Sequence, residues 1–231
     1  MTRGHGLRSE SFVKKIRRDD PNQLAIPDWD FVAEAIKAGE GDEALNFLEF
    51  IRGQSQANND NLVSFVETVL THLASFGEDE ILRVLRPRYL AKMTEFLSTT
   101  QGLEEELQRC TAAQRRHHAD FTVTEEPDRY VVTYDPCGSG GRLRRTRSVG
   151  TTQKAYPWSW GKAGVPYYCC HCCVSWEIIV TELRGYPVKI TLVGERPEDP
   201  CVHLFYKKPE LIPEEYFARI GMKKDMASFE M

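Results

Sequence analysis

The hydrophobic period of the chain changes at His118. Before it, apolar residues recur every three or four positions; after it, they alternate. One backbone cannot serve both periods, because side chains return to the same face every 3.6 residues on a helix and every second residue on a strand. The change predicts an α+β fold, with an N-terminal helical region packed on a C-terminal antiparallel β-sheet domain that includes a cysteine-bearing helix. The expected divisions are a basic flexible arm at 1–27, a helical region at 28–118 and a cysteine-rich α+β domain at 119–231.

In the helical region, Phe31, Val32, Ala35 and Ile36 form a stripe that ends at Gly39. Leu45, Leu48 and Ile51 form another that ends at Gly53. A longer helix, capped by Asp60 or Asn61, carries Leu62, Phe65, Val66, Val69, Leu70, Leu73 and Phe76 on one face. The pattern continues through Ile81, Leu85, Met93 and Phe96 across Pro87, which is expected to kink or split that element. A further helix, from Leu103 to about His118, turns Cys110, Gln114 and His117 to one side. Beyond it, FTVTEEPDRYVVTYDPC predicts a hairpin turning at Glu126-Pro127-Asp128. YPVKITLVG and CVHLFYKK predict two more strands, and PELIPEEYFARIG a short helix.

With 231 residues, 41% of them hydrophobic, the chain can bury one sizeable core or two modest ones. No apolar run approaches the roughly 20 residues of a membrane span, and the first residues lack the apolar core of a secretory signal. A cytoplasmic chain without a membrane partner is therefore expected. The net charge of −4 gives no general reason to expect nucleic acid, and the basic run from Arg3 to Arg18 reads as a mobile arm.

The seven cysteines are odd in number, and five of them, Cys137 and the four in PYYCCHCCVSW, are crowded together. In a reducing compartment that crowding favours metal or thiol chemistry over a disulfide scaffold. Three readings stay open: a metal site, a reactive thiol, or inert buried sulfur. Pro166 suits the first turn of a helix and Gly185 the residue past its end. On that helix Cys169 pairs with Cys172 and Cys170 with Cys173, each pair three residues apart and able to share an ion. Cys170 and Cys173 lie beside Glu177, whereas Cys172 aligns with Trp176, Val180 and Leu183 and is expected in the core. The candidate metal ligands are therefore Cys137, Cys170, Cys173, Cys201 and His203, the last two sharing one side of a strand. A thiolate-rich set suits zinc, with an iron–sulfur cluster as the alternative.

CGSGGRLRRTR adds three glycines that free the backbone to turn amides toward an anion, followed by four arginines. On a strand, Arg142 and Arg144 would point together and could orient a substrate carboxylate; the alternative is a glycine turn and a charged edge strand. The loop YPWSWGKAGVPYY could wall a pocket with Trp158 and Trp160 or pack under its own aromatics.

From about Phe121 to Tyr206, the strand ending in YDPC, the cysteine-bearing helix and the strand opening at Cys201 resemble the L-2-amino-thiazoline-4-carboxylate hydrolase-like proteins. These are related in outline to vinyl-reductase-type ligand-binding domains. The resemblance implies an α+β domain that opens a small sulfur- and nitrogen-containing ring or binds a comparable acid. The cluster at 169–173 and the GSGGRLRR loop lie outside it. The expected function is hydrolysis of a C–N or C–S bond in a small-molecule substrate. Metal would activate water, and Glu177, His171 or His117 would move the proton. A non-catalytic zinc or ligand-sensing domain is the alternative.

Overall fold

The hairpin expected after His118 is present in the computed structural model of the protein, which describes residues 26–225. Strands β1 (Phe121–Glu125) and β2 (Arg129–Tyr134) pair antiparallel. Strands β3 (Ile190–Leu192) and β4 (Cys201–Tyr206) complete an antiparallel sheet of order β1-β2-β4-β3. The run from Arg3 to Arg18 lies outside the described residues. No helix among the described residues is long and apolar enough to cross a membrane.

The chain forms two compact units, one ending at Asn58 and the other beginning at Asn59. In the first, helix α1 (Asp28–Ala38) ends at Gly39, whose φ of 77° lets its amide reach the carbonyls of Ala35 and Ile36. Phe31 stacks on Phe47, with ring centroids 5.3 Å apart, over a small core completed by Val32 and flanked by Ile26 and Ile51. Phe47 belongs to helix α2 (Gly41–Ala74), which runs unbroken for 34 residues. The expected stop at Gly53 is thus corrected: a glycine within a helix costs only about 1 kcal/mol relative to alanine, and no proline follows it.

In the second unit, α2 turns Val63, Glu67 and Leu70 inward. The wide stripe expected on this helix is split, because Leu62, Phe65, Val69 and Phe76 are exposed. Helix α3 (Asp79–Ser98) includes Pro87 and is not split by it. Pro87 is exposed, so the carbonyl freed by its missing amide faces water instead of the core. Pro87→Ala is expected to raise stability by about 1–3 kcal/mol, seen as a higher urea midpoint with an unchanged slope. An unchanged or lower midpoint would show that the lost helix hydrogen bond is already compensated. Helix α4 (Gly102–Arg116) ends before the expected His118; His117 caps it, and His118 has a positive φ of 53°.

The sheet has two unlike faces. Val132, Tyr134, Cys201, His203 and Thr191 share one, set by the pairings Val132 with His203, Tyr134 with Cys201 and Thr191 with His203. Ile190, Leu204 and Tyr206 share the other and pack with Ile212 and Phe217, the latter in the expected short C-terminal helix, Glu214–Ala218. Val132, Tyr134 and Phe205 join Ile81, Met93, Phe96 and Cys110 in a core that the cysteine-bearing helix completes.

That helix changes pitch as it goes. A 3-10 turn (Tyr167–Cys169) leads into one α-turn (Cys170–Cys172), a π-helical stretch (Cys173–Ile179) and a final α-turn (Val180–Arg184) that ends at left-handed Gly185. A carboxylate of α2 and one at the N-cap of α3 hold the chain leading into it. Glu67 accepts the amides of Gly150 (3.0 Å) and Tyr168 (2.8 Å), and Glu78 accepts the hydroxyls of Tyr156 (2.8 Å) and Tyr167 (2.9 Å). The aromatic loop is thereby packed inward. Trp158 and Trp160 are each 4% exposed, which corrects their expected role as walls of a ligand pocket.

Candidate functional site

Four cysteines from separate stretches of chain line one small cavity. Cys137 reaches it from the loop after β2, Cys169 and Cys172 from the opening turns of the cysteine-bearing helix, and Cys201 from the start of β4. His171, His203, Arg144, Thr191, Gly140 and Gly141 also face it, and its lining contains no carboxylate. All seven cysteines of the chain are free thiols.

The pair in the cavity is the reverse of the expected one. Cys170 and Cys173 are wholly buried on the core side, where their thiols meet the carbonyls of Pro166 (3.5 Å) and Pro157 (3.4 Å). The three-residue spacing holds for both pairs. The choice between them fails because this helix is buried around most of its circumference, so an apolar stripe does not mark one inner face. The π-helical stretch then widens the turn, and Glu177 does not line the cavity.

Glu177 is fully buried. It accepts hydrogen bonds from Trp160 Nε1 (2.7 Å), the Thr191 amide (2.8 Å) and Arg219 (2.6 Å). Burial pushes its carboxyl pKa up, and Arg219 opposes that rise. This is a structural brace, and the expected proton-moving role at the cavity is corrected. His117 is not at the cavity either: its carbonyl accepts from Arg142, and its Nδ1 is buried with no hydrogen-bond partner.

The arginine segment is a helix, Gly140–Thr146, instead of the expected strand. Arginine is a good helix former, and three of these residues find acceptors at once. Arg142 grips Asp60 and the carbonyls of His117, His118 and Gly138, so it is not available to a substrate. Arg144 does reach the cavity. Its terminal nitrogens donate to Gly194 O (2.7 Å) and Asp199 O (2.6 Å), leaving its buried Nε without a partner.

The hydrogen bonds around the sulfurs define which atoms donate. The Gly141 amide donates to Cys137 Sγ at 3.0 Å. His171 Nδ1 donates to the Tyr168 carbonyl (2.5 Å), which leaves the lone pair of Nε2 facing Cys172 Sγ at 3.5 Å. Burial lowers the His171 pKa to about 4, so the ring is neutral at neutral pH.

His203 is 2% exposed, and its Nδ1 lies 2.9 Å from Lys189 Nζ. An ammonium only donates, so Nδ1 accepts and the ring proton sits on Nε2, 3.8 Å from Cys201 Sγ. With one nitrogen occupied by Lys189 and the other protonated, His203 is a donor toward sulfur. Its expected role as a metal ligand is corrected.

Lys189 was not anticipated. In VKITL, valine, isoleucine and leucine alternate with lysine and threonine, a pattern that reads as a polar face in solvent. The structure turns that polar face inward: Lys189 is 3% exposed and Thr191 1%. The ammonium lies on His203 and 5.0 Å from the centre of the Trp176 ring. Among the described residues no carboxylate pairs with it.

Burial raises the thiol pKa of Cys169 and Cys201 well above the usual value and also raises that of Cys172. These three thiols are therefore protonated and weakly nucleophilic at neutral pH. As the side chains stand, no three His, Cys, Asp or Glu groups among the described residues converge on one ion-sized point. The cavity is ≈ 30 Å³, room for about two waters. A larger cavity, ≈ 300 Å³, opens on the other face of the sheet among Leu103, Tyr186, Ile190, Leu204 and Ile212, beside the Arg184–Glu106 ion pair.

No family model, curated protein or solved structure matches the chain.

Proposed function

We propose that the chain is a metal-binding protein whose centre is held by the thiolates of Cys137, Cys169, Cys172 and Cys201 in a reducing compartment. The observation that carries this reading is the gathering of Cys137, Cys169, Cys172 and Cys201 around one cavity whose lining contains no carboxylate, with the buried Lys189 behind its His203. An uncompensated buried charge costs several kcal/mol, and neutral thiols do not offset it. Four thiolates around a divalent ion carry an excess of about two negative charges, which Lys189 and Arg144 would balance. The Gly141 amide and His203 Nε2 both offer protons to sulfur, a polarity that suits thiolate as acceptor.

Four thiolates close the coordination of the metal, and that describes a structural or electron-carrying centre better than a hydrolytic one. Hydrolysis of a small ring acid calls for an open metal position and room for the substrate, and the ≈ 30 Å³ cavity is small for that. Zinc and iron are the metals such a ligand set selects.

Protein purified without added metal is expected to contain close to stoichiometric zinc or iron. Less than about a tenth of an equivalent would sink the proposal, because a site that folds around its ion does not release it readily. Stripping the metal with a chelator should lower the urea midpoint of the second unit, read from the near-ultraviolet signal of its tryptophans, without unfolding it in the absence of urea.

A further inference from the structure

We infer that the chain forms a two-fold dimer through the outer face of the second half of α2, with the same helix of a second copy as its partner. The stretch NLVSFVETVLTHLASFG, from Asn61 to Gly77, carries one charged residue, Glu67, which is turned inward and 4% exposed. Its outer face is apolar. Leu62, Phe65, Val69 and Phe76 follow at steps of three, four and seven, the spacing of a helix seam, and His72 stands at the intervening position. The Phe76 amide donates to the Leu73 carbonyl at 3.0 Å, and its ring meets that of His72 edge-on with centroids 5.1 Å apart, so Phe76 keeps to the stripe beyond the last turn of α2. All of these residues belong to the second unit.

The charge and area of the stripe select its occupant. A solvent-facing helix ordinarily carries charged residues on its outer face. Here Asn61, Thr68, His72 and Ser75 border the apolar residues. Asp60 and Glu78, at the two ends, are engaged by Arg142 and by Tyr156 and Tyr167. A membrane surface calls for Lys and Arg beside the apolar residues, and a charged partner for the opposite charge. The stripe has neither. Two copies need neither, since faces without Asp, Glu, Lys or Arg meet without like-charge repulsion. With Phe65 66% and Phe76 71% exposed, the four apolar side chains offer about 400 Å². That is close to the apolar share of the roughly 800 Å² that each partner buries in a standard interface. An antiparallel crossing at Val69, the smallest of the four, sets Leu62 against the second copy's Phe76 and Phe65 against its His72. Large residues then face smaller ones, and the helix dipoles run in opposite directions. A parallel pair would set Phe on Phe at two levels and leave a gap at Val69.

The test is sedimentation equilibrium of the full chain in a phosphine reductant, which keeps the free cysteines from linking copies. A monomer–dimer equilibrium in the micromolar range is expected. Phe65→Glu and Val69→Glu should each raise the dissociation constant by about 100-fold or more, with the far-ultraviolet spectrum unchanged because both positions are exposed in the single chain. Leu211→Glu, at an exposed apolar residue elsewhere, should leave it unchanged. Leu62→Lys and Phe76→Glu should each weaken the dimer, and the two variants mixed should recover most of it as a heterodimer. A wild-type chain that stays monomeric up to about 100 µM would overturn the inference and leave the stripe to another protein or another part of the chain. A dimer indifferent to both glutamates, or equally sensitive to Leu211→Glu, would overturn it as well. A mixture without recovery would overturn the antiparallel crossing.

Discussion

Glu177→Leu is expected to lower the stability of the protein by about 3–5 kcal/mol while leaving the metal content of each folded chain unchanged. The side chain is fully buried, and leucine is close to it in size, so little of the loss comes from a cavity. What is lost is charge and acceptors. Arg219, whose side chain is 18% exposed, would keep a mostly buried guanidinium with no anion. Trp160 Nε1 and the Thr191 amide would each lose their acceptor in the interior. Glu177→Gln, which keeps an acceptor oxygen but not the charge, should fall between the two. Urea midpoints for the three proteins measure this directly. A leucine variant within about 0.5 kcal/mol of the parent would mean that the brace is not structural, and loss of metal without loss of stability would return Glu177 to the site.

The same residue shows where the sequence was legible and where it was not. The change of period at His118, the hairpin, the strand at Cys201–Tyr206 and the short C-terminal helix were all visible. Each depends on local alternation or on a turn residue. Gly53 misled because a helix break is set by a balance: a helix with enough packing elsewhere carries a glycine, and of the kink or split expected at the exposed Pro87 the split does not occur. In GSGGRLRRT the glycines suggested a turn before a strand, but the arginines found acceptors at Asp60, Gly194 O and Asp199 O that only the folded chain supplies.

Of the site, Cys137, Cys201, His171 and Arg144 were legible as chemistry-bearing types, and the fold brings them to one cavity. The pairing of Cys169 with Cys172 was visible as a spacing, yet helical periodicity could not rank it above Cys170 with Cys173. Both faces of that helix are covered, and its pitch changes at Cys173. Lys189 carried a signal that could have found it: a lysine in step with Thr191 on a strand whose other face is apolar. That alternation fixes which residues share a face but not which face meets water, and here the polar one meets the sulfurs.

The separation of the two cysteine pairs sets the largest functional difference expected within the cluster. Cys169→Ser and Cys172→Ser should each abolish stoichiometric metal binding, because a hydroxyl at neutral pH is a poor substitute for a thiolate. Their effect on the metal-free protein should be small, since both side chains border the cavity and are only partly buried. Cys170→Ser and Cys173→Ser should behave in the opposite way. Each thiol is wholly buried among apolar neighbours and faces a single carbonyl, at 3.5 Å and 3.4 Å, so a serine there buries a more polar group in a site shaped for sulfur. The expected cost is about 1–3 kcal/mol, with metal retained in the chains that fold. Metal content and denaturant midpoint, measured side by side for all four variants, give two columns that should cross. If the Cys170 and Cys173 variants lose the metal while those at Cys169 and Cys172 keep it, the ligands lie on the core side of the helix. The four-cysteine cavity would then not be the metal site.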